Sequence, residues 1–206
     1  MAPKALLTRK LGMTSTISQT GEVKAVTLLG VSEHSVLMNK TIERDGYNAV
    51  QIGTEKAKHL TKSLIGHTKK AKVQPKIIRE IRLSELDSEL NVGDKFSTDV
   101  FSVGDKVSVT AVNKGKGWAG TIKRHNFHRQ RKTHGGKGDT RKPGSIGSMY
   151  PQHILKGKKM AGQMGHVQVT IKNLEVALID PDHSVIGVYG AVPGPNKSLV
   201  LIKGSL

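Results

Sequence analysis

The chain has 206 residues, 36% of them hydrophobic but only 3% aromatic, enough for an aliphatic core in one large domain or two small ones. Its 33 Lys and Arg outnumber 16 Asp and Glu to give a formal net charge of +17, a surplus that repels itself unless a polyanion such as nucleic acid or an anionic membrane surface neutralises it. With no cysteine, disulfides and thiolate metal sites are excluded. No apolar run approaches the ~18 residues of a membrane span. The start, MAPKALLTRKLGMT, has no apolar stretch for a secretory leader, so a soluble cytoplasmic protein is expected.

In chain order, the first elements read as short strands between turn signals. VKAVTLLGV (23–31) follows the turn TGE (20–22), SVLMNK (35–40) precedes RDG (44–46), and YNAVQIGTE (47–55) comes after it. LTKSLIGHTKKA (60–71) is a candidate short helix, and KIIREIRL (76–83) is again strand-like. A small internal repeat follows, VGDKF (92–96) and VGDKV (103–107), in which Gly-Asp makes a turn and a strand begins after it. In KVSVTAV (106–112) the alternation puts Val107, Val109 and Ala111 on one face. The pattern then breaks and resumes with HVQVTIKNLEVALID (166–180), SVIGVYGAV (184–192) and SLVLIK (198–203). Many short strands with Gly/Asp turns predict a mainly β fold, a barrel or sandwich.

The break is the most basic part of the chain. Residues 113–166 hold 13 Lys or Arg, a single acid, Asp139, and 11 of the 23 glycines, for a net charge of +12; the remaining residues carry 20 Lys or Arg against 15 acids, a net of +5. A solvated helix face mixes signs at i,i+4, and this stretch has almost no acids to mix. The organisation read from this is a discontinuous body, 1–112 and 167–206, interrupted by a basic, Gly-rich extension over 113–166. An excursion of that length inside a compact domain is functional or bound to something.

Several motifs in the extension have competing readings. Gly115-Lys116-Gly117-Trp118-Ala119-Gly120 matches G-x-G-x-x-G and follows a predicted strand. A dinucleotide fold needs an amphipathic helix and a parallel strand next, whereas TIKRHNFHRQRK is basic on every face and Asp139 sits in the loop GGKGDTRK. His125, His128 and His134 have no acid or cysteine beside them to complete a metal site, and flanking cations oppose a further cation. No G-x-S-x-G elbow or other local signature of catalysis is present. What remains is Lys and Arg interleaved with Trp118, Phe127 and Tyr150: cations for phosphates, rings for unpaired bases. Trp118 and Phe127 could equally pack a short helix, GWAGTIKRHNF, onto the body, and both roles stay open.

At these residues the chain resembles a known family, the universal ribosomal protein L-three of the large subunit in its bacterial form. The resemblance rests on KLGMT (10–14), DGYNAVQIG (45–53), KGKGWAGTIKRHNF (114–127), THG (133–135), RKPGSIG (141–147), KGKKMAGQMG (156–165) and GAVPG (190–194), in family order through nearly the whole chain. It implies a translation-factor-like β-barrel and a long loop, carrying short helical turns, that runs into large-subunit rRNA toward the peptidyl-transferase centre. It also implies early binding near the 3′ end of that rRNA, nucleation of subunit assembly, neighbouring large-subunit ribosomal proteins as partners, and no catalysis, cofactor, metal, membrane or small-molecule substrate.

The expected RNA-binding residues are Lys114, Lys116, Trp118, Lys123, Arg124, His125, Asn126 and Phe127 on the outgoing limb. Arg129, Arg131, Lys132, His134, Lys137, Arg141 and Lys142 follow, and Lys156, Lys158 and Lys159 lie on the return. Ser148, Met149, Tyr150, Pro151, Gln152 and His153 form the expected tip near the peptidyl-transferase centre. The chain departs from the family at Thr140, where a histidine is common, and in SMYPQHILKG, which is one residue shorter; Gln152 falls after the proline, so the family's glutamine methylation is not carried over. The alternative functions are a dinucleotide-dependent enzyme and a free-standing, translation-factor-like RNA-binding module.

Overall fold

The computed structural model describes residues 3–17, 21–83 and 90–204, apart from the side chain of Lys137. It is mainly β. Its contacts divide the chain into two compact units, residues 113–167 and the rest.

The larger unit begins with β1 (Ala5–Ile17), β2 (Val23–Val31), β3 (His34–Lys40), α1 (Ile42–Asp45), β4 (Ala49–Lys56), α2 (Lys62–Thr68), β5 (Pro75–Arg82), β6 (Lys95–Phe96) and β7 (Lys106–Val112). The predicted short helix at 60–71 is α2 followed by a 3-10 turn, Lys69–Ala71. The RDG turn closes α1, with Gly46 left-handed at φ 79 and its N–H on the Ile42 carbonyl. Of the TGE turn, Thr20 lies outside the described residues.

In the smaller unit come β8 (Trp118–Ala119), α3 (Thr121–His125) and β9 (Gly162–Gln163); β10 (Gln168–Asp180), β11 (Val185–Tyr189) and β12 (Leu199–Gly204) complete the larger one.

The antiparallel pairings close on themselves in the order β1-β12-β7-β10-β11-β2, a ring of six strands. The sequence reading treated the strands as one set; the structure puts β5-β4-β3-β6 in a separate four-stranded sheet. Two apolar clusters follow from the period of two. Leu6, Leu29, Val107, Val109, Val176, Ile186, Val200 and Ile202 pack together in the first. Ala5, Leu7, Val36, Val50, Ile52 and Ile81 form the second, with Leu199 and Leu201 against it. β1 and β12 therefore bury both faces, which accounts for the unbroken apolar runs Ala5-Leu6-Leu7 and Leu199–Ile202 where a half-exposed strand would alternate with polar residues.

The short repeat is real in three dimensions. Asp94 accepts the Asn91 N–H at 2.8 Å and Asp105 accepts the Ser102 N–H at 3.0 Å. Between each pair sits a glycine with positive φ, Gly93 at 103 and Gly104 at 91. Two of the motifs that carried the resemblance also meet. The Lys10 ammonium of KLGMT is buried and donates to the Val192 and Gly194 carbonyls of GAVPG at 2.7 and 3.2 Å.

His34 lies fully buried where β3 faces β1. Its Nε2 accepts the Leu7 N–H at 2.8 Å, and its ring stacks on Phe96 with centroids 5.3 Å apart. Burial favours the neutral imidazole and pushes its pKa down to about 4.

Candidate nucleic-acid interface

The second unit is built from its two ends inward. Asn113 donates its N–H to the Val167 carbonyl at 3.0 Å, and its side-chain Oδ1 accepts the Val167 N–H at 3.0 Å. One step further in, Lys116 N–H bonds the Met164 carbonyl and Met164 N–H bonds the Gly117 carbonyl, each at 2.9 Å. The ladder continues as β8 against β9, Trp118 opposite Gln163 and Ala119 opposite Gly162. Gly165, at φ 75, makes the close approach possible: a Cβ there would meet the Lys114 carbonyl oxygen and the Gly115 Cα.

The short helix α3 then turns back on the return limb. Arg124 Nη1 and His125 Nε2 both donate to the Met160 carbonyl, at 2.8 and 3.0 Å. Asn126, left-handed at φ 58, ends the helix. The two most specific motifs, KGKGWAGTIKRHNF and KGKKMAGQMG, thus form one paired structure. That pairing was not anticipated from sequence; its only signal was glycine at 117, 162 and 165 in stretches that otherwise looked independent.

Almost nothing in this unit is buried. Among its described residues only Ala119, Thr121 and Gly162 are. The side chains of Lys114, Lys116, Lys123, Arg124, Arg129, Arg131, Lys132, Arg141, Lys142, Lys156, Lys158 and Lys159 are all exposed, as are Asn126 and His134. His125 and Phe127 are half-buried, their rings 6.2 Å apart and tilted, while Trp118 is 79% exposed. Of the two open roles, packing therefore describes Phe127 better than Trp118. Lys137's side chain lies outside the described residues.

The structure brings together Lys116, Trp118, Arg124 and His125 with the return limb around Met160–Met164, but it sets the middle stretch apart. His128, Arg129, Arg131, His134 and Asp139 line a shallow cleft of about 590 Å³. Asp139 pairs with Lys142 at 2.6 Å and holds that ammonium above the usual lysine range.

The tip is shaped by its own side chains. Ser145 Oγ donates to the Gly147 carbonyl and Ser148 Oγ to the Tyr150 carbonyl, both at 2.7 Å. The Tyr150–Pro151 peptide is cis. Met149 is 89% exposed and Tyr150 86%; Gln152 and His153 are exposed and Pro151 half-buried.

This arrangement offers donors and flat rings to an anionic surface. Guanidinium and ammonium groups reach outward from a backbone fixed at its base, and Arg124, which uses one N–H on Met160, keeps the others of its fork for a phosphate.

Comparison with known proteins gives the same residues a lineage. Residues 21–184 match the family model described as "Ribosomal protein L3". The chain is 46% identical over 206 residues to the "Large ribosomal subunit protein uL3" of Bacillus thuringiensis (strain Al Hakam), covering 98% of this chain and 97% of that protein. The same figures hold for the proteins of that name from Bacillus cereus (strain B4264) and Bacillus anthracis (strain CDC 684 / NRRL 3495). A match that runs through both paired limbs and nearly the full length of its relatives shows that the chain belongs to the ribosomal protein L3 family.

Proposed function

We propose that the protein is a structural constituent of the large ribosomal subunit, in the cytoplasm, and that residues 113–166 are its principal rRNA-binding element. The observation that carries this reading is the chemistry of the extension: among its described residues, twelve exposed cations against three buried residues, anchored at its base by a short backbone ladder. Counterion release on phosphate contact supplies the free energy that a core would otherwise supply. The relatives' name, large ribosomal subunit protein, supports the location.

On this reading the closed ring is the translation-factor-like barrel of the family, and the extension is the loop that runs toward the peptidyl-transferase centre. The rRNA segment bound is near the 3′ end, binding is early in assembly, and the neighbours are other large-subunit proteins. The role is positional, without catalysis. Sucrose-gradient fractionation of cell extract in high salt tests it: the protein is expected to sediment with the large subunit. Recovery in the unbound fractions, with rRNA binding retained, would favour the free-standing module instead.

A further inference from the structure

The buried residues of the extension, among those described, sit together at one place. Ala119 pairs with Gly162 across the ladder, and Thr121 opens α3 just after it. There α3 meets the return limb, with Arg124 and Met160 36 residues apart in sequence. What joins the limbs is not charge. Residues 113–138 and 140–167 contain no Asp or Glu, so both limbs carry only cations and repel each other. The join goes through a neutral acceptor instead. The Met160 carbonyl takes Arg124 Nη1 at 2.8 Å and His125 Nε2 at 3.0 Å, one for each lone pair.

Gly162 makes room for that grip. Its backbone is not left-handed, so conformation does not call for glycine there. Space does: a Cβ would meet Arg124 Nη1 at 2.7 Å and Cζ at 3.3 Å. The guanidinium therefore lies against the bare backbone of the return limb, where any side chain would push it away. A lysine could not copy this, since an ammonium has no flat fork to lie there and donate at the same time.

We propose that Arg124, His125 and Gly162 form a latch that fixes the register of the two limbs, and that Arg124 and His125 are positioning residues for the tip. The bearing of the latch on RNA rests on the proposed function above. Residues 126–159 leave the latch and return to it. Holding both ends at one carbonyl sets where the loop begins and ends, and it aims the remaining N–H groups of Arg124 in one direction. His125 directs a ring nitrogen inward, at protein rather than RNA.

Two readouts on the full chain test this. Gly162→Ala changes no charge and displaces only the end of a flexible side chain, so it opens the latch and leaves the backbone pairing able to form. In the free protein, amide exchange at Lys116 and Met164, the ladder N–H groups beside the latch, should then speed up roughly 2- to 10-fold, as for the loss of one hydrogen bond. In an Arg124→Ala background the same substitution should add nothing further. Equal exchange in the parent and Gly162→Ala proteins overturns the latch, and so does a Gly162→Ala effect that persists undiminished without the arginine.

The second readout locates the tip. The chain has no cysteine, so Gln152→Cys gives a single attachment point for an iron chelate. In reconstituted large subunits, radical cleavage of rRNA from that point should shift or spread when Gly162→Ala is added. The plot of log affinity for rRNA against log salt should keep its slope, because no cation is lost. Unmoved cleavage with accelerated exchange leaves a local brace and overturns the positioning role. A slope shallower by about one or more overturns it too, in favour of Arg124 as a phosphate anchor. Failure of the unsubstituted protein to enter large subunits overturns the proposed function instead, and the exchange measurement still decides the latch.

Discussion

The ring and the extension solve opposite problems with the same backbone. In the ring, Leu6, Val107, Val109, Val200 and Ile202 are almost completely removed from water, and every strand has two neighbours. In the extension a two-residue ladder, a five-residue helix and a few side-chain caps hold a unit whose lysines and arginines are all exposed among the described residues. The ring's order is intrinsic because apolar burial is local to it. On the proposed function the extension's order is completed by RNA, since a chain that buries little cannot offset its own conformational entropy. Substitutions in one region should therefore register as stability and in the other as affinity.

The largest expected effect lies in the extension. If about eight to ten of its cations meet phosphates, rRNA affinity falls by roughly 10³–10⁵ between 50 and 200 mM salt. Filter binding across that range checks it, and a flat response would remove the extension as the binding element. Replacing Lys156, Lys158 and Lys159 together should flatten the slope and weaken binding while leaving the urea midpoint of the free protein nearly unchanged, since all three are exposed.

The ring answers with the reverse pattern. Ile202 is fully buried, and Ile202→Ala leaves a cavity costing about 2–5 kcal/mol. Urea unfolding should show that loss, whereas rRNA affinity per folded molecule stays the same. A large change in affinity without a change in stability would dissolve the contrast between the two regions.

An intermediate effect sharpens it by pH. His34 is neutral in the folded protein down to about pH 4, against about 6.5 when unfolded. Between those values the unfolded chain binds more protons, so the stabilisation is complete above pH 6.5 and is lost as pH falls toward 4. The loss approaches about 3 kcal/mol. His34→Leu should be less stable at pH 7, because the Leu7 N–H loses its acceptor, and should show a smaller decline from pH 6.5 to 4.5. The carboxylates titrate alike in both proteins, so the difference in urea midpoints reports His34. Parallel curves would mean the buried imidazole is not the acid-sensitive group.

Sequence made some of this legible and concealed the rest for physical reasons. The strands β2, β7, β11 and β12 were read because alternation and turn residues are local signals; Val107, Val109 and Ala111 do share one buried face. A 13-residue part of the ring, β1, went unread as a strand. It buries both faces at its start and carries a bulge between Lys10 and Gly12, so neither strict alternation nor a continuous run survives. The split between ring and four-stranded sheet was also invisible, because pairing partners are a long-range property that strand periodicity does not encode. In the extension the residue types pointed to phosphate chemistry, but the pairing of its two ends and the grip of Arg124 and His125 on Met160 depend on backbone carbonyls, which leave no mark in composition.

The smallest expected effect on affinity is at the tip. Pro143 to Leu155 contains no Lys, Arg, Asp or Glu, although Arg141 and Lys142 precede it and Lys156, Lys158 and Lys159 follow. An uncharged stretch inside the most basic part of the chain adds little counterion release, so it contributes little to binding strength. Its shape is set from within: the Ser145 and Ser148 hydroxyls each bond a carbonyl two residues on, and Tyr150 and Met149 are left facing outward. That suits stacking and hydrogen bonding, which position RNA rather than anchor it. On the proposed function the RNA positioned lies near the peptidyl-transferase centre. Tyr150→Ala or His153→Ala should then leave rRNA affinity within about twofold, because no phosphate contact is removed. The same variants, in reconstituted large subunits, should change the rate of peptide-bond formation or the sensitivity to antibiotics acting there. Filter binding and single-turnover peptide transfer, run on the same preparations, separate the two roles. Should the tip variants lose affinity as severely as the triple lysine variant while their subunits react normally, the tip is an anchor like the limbs, and the division between anchoring cations and a positioning tip is wrong.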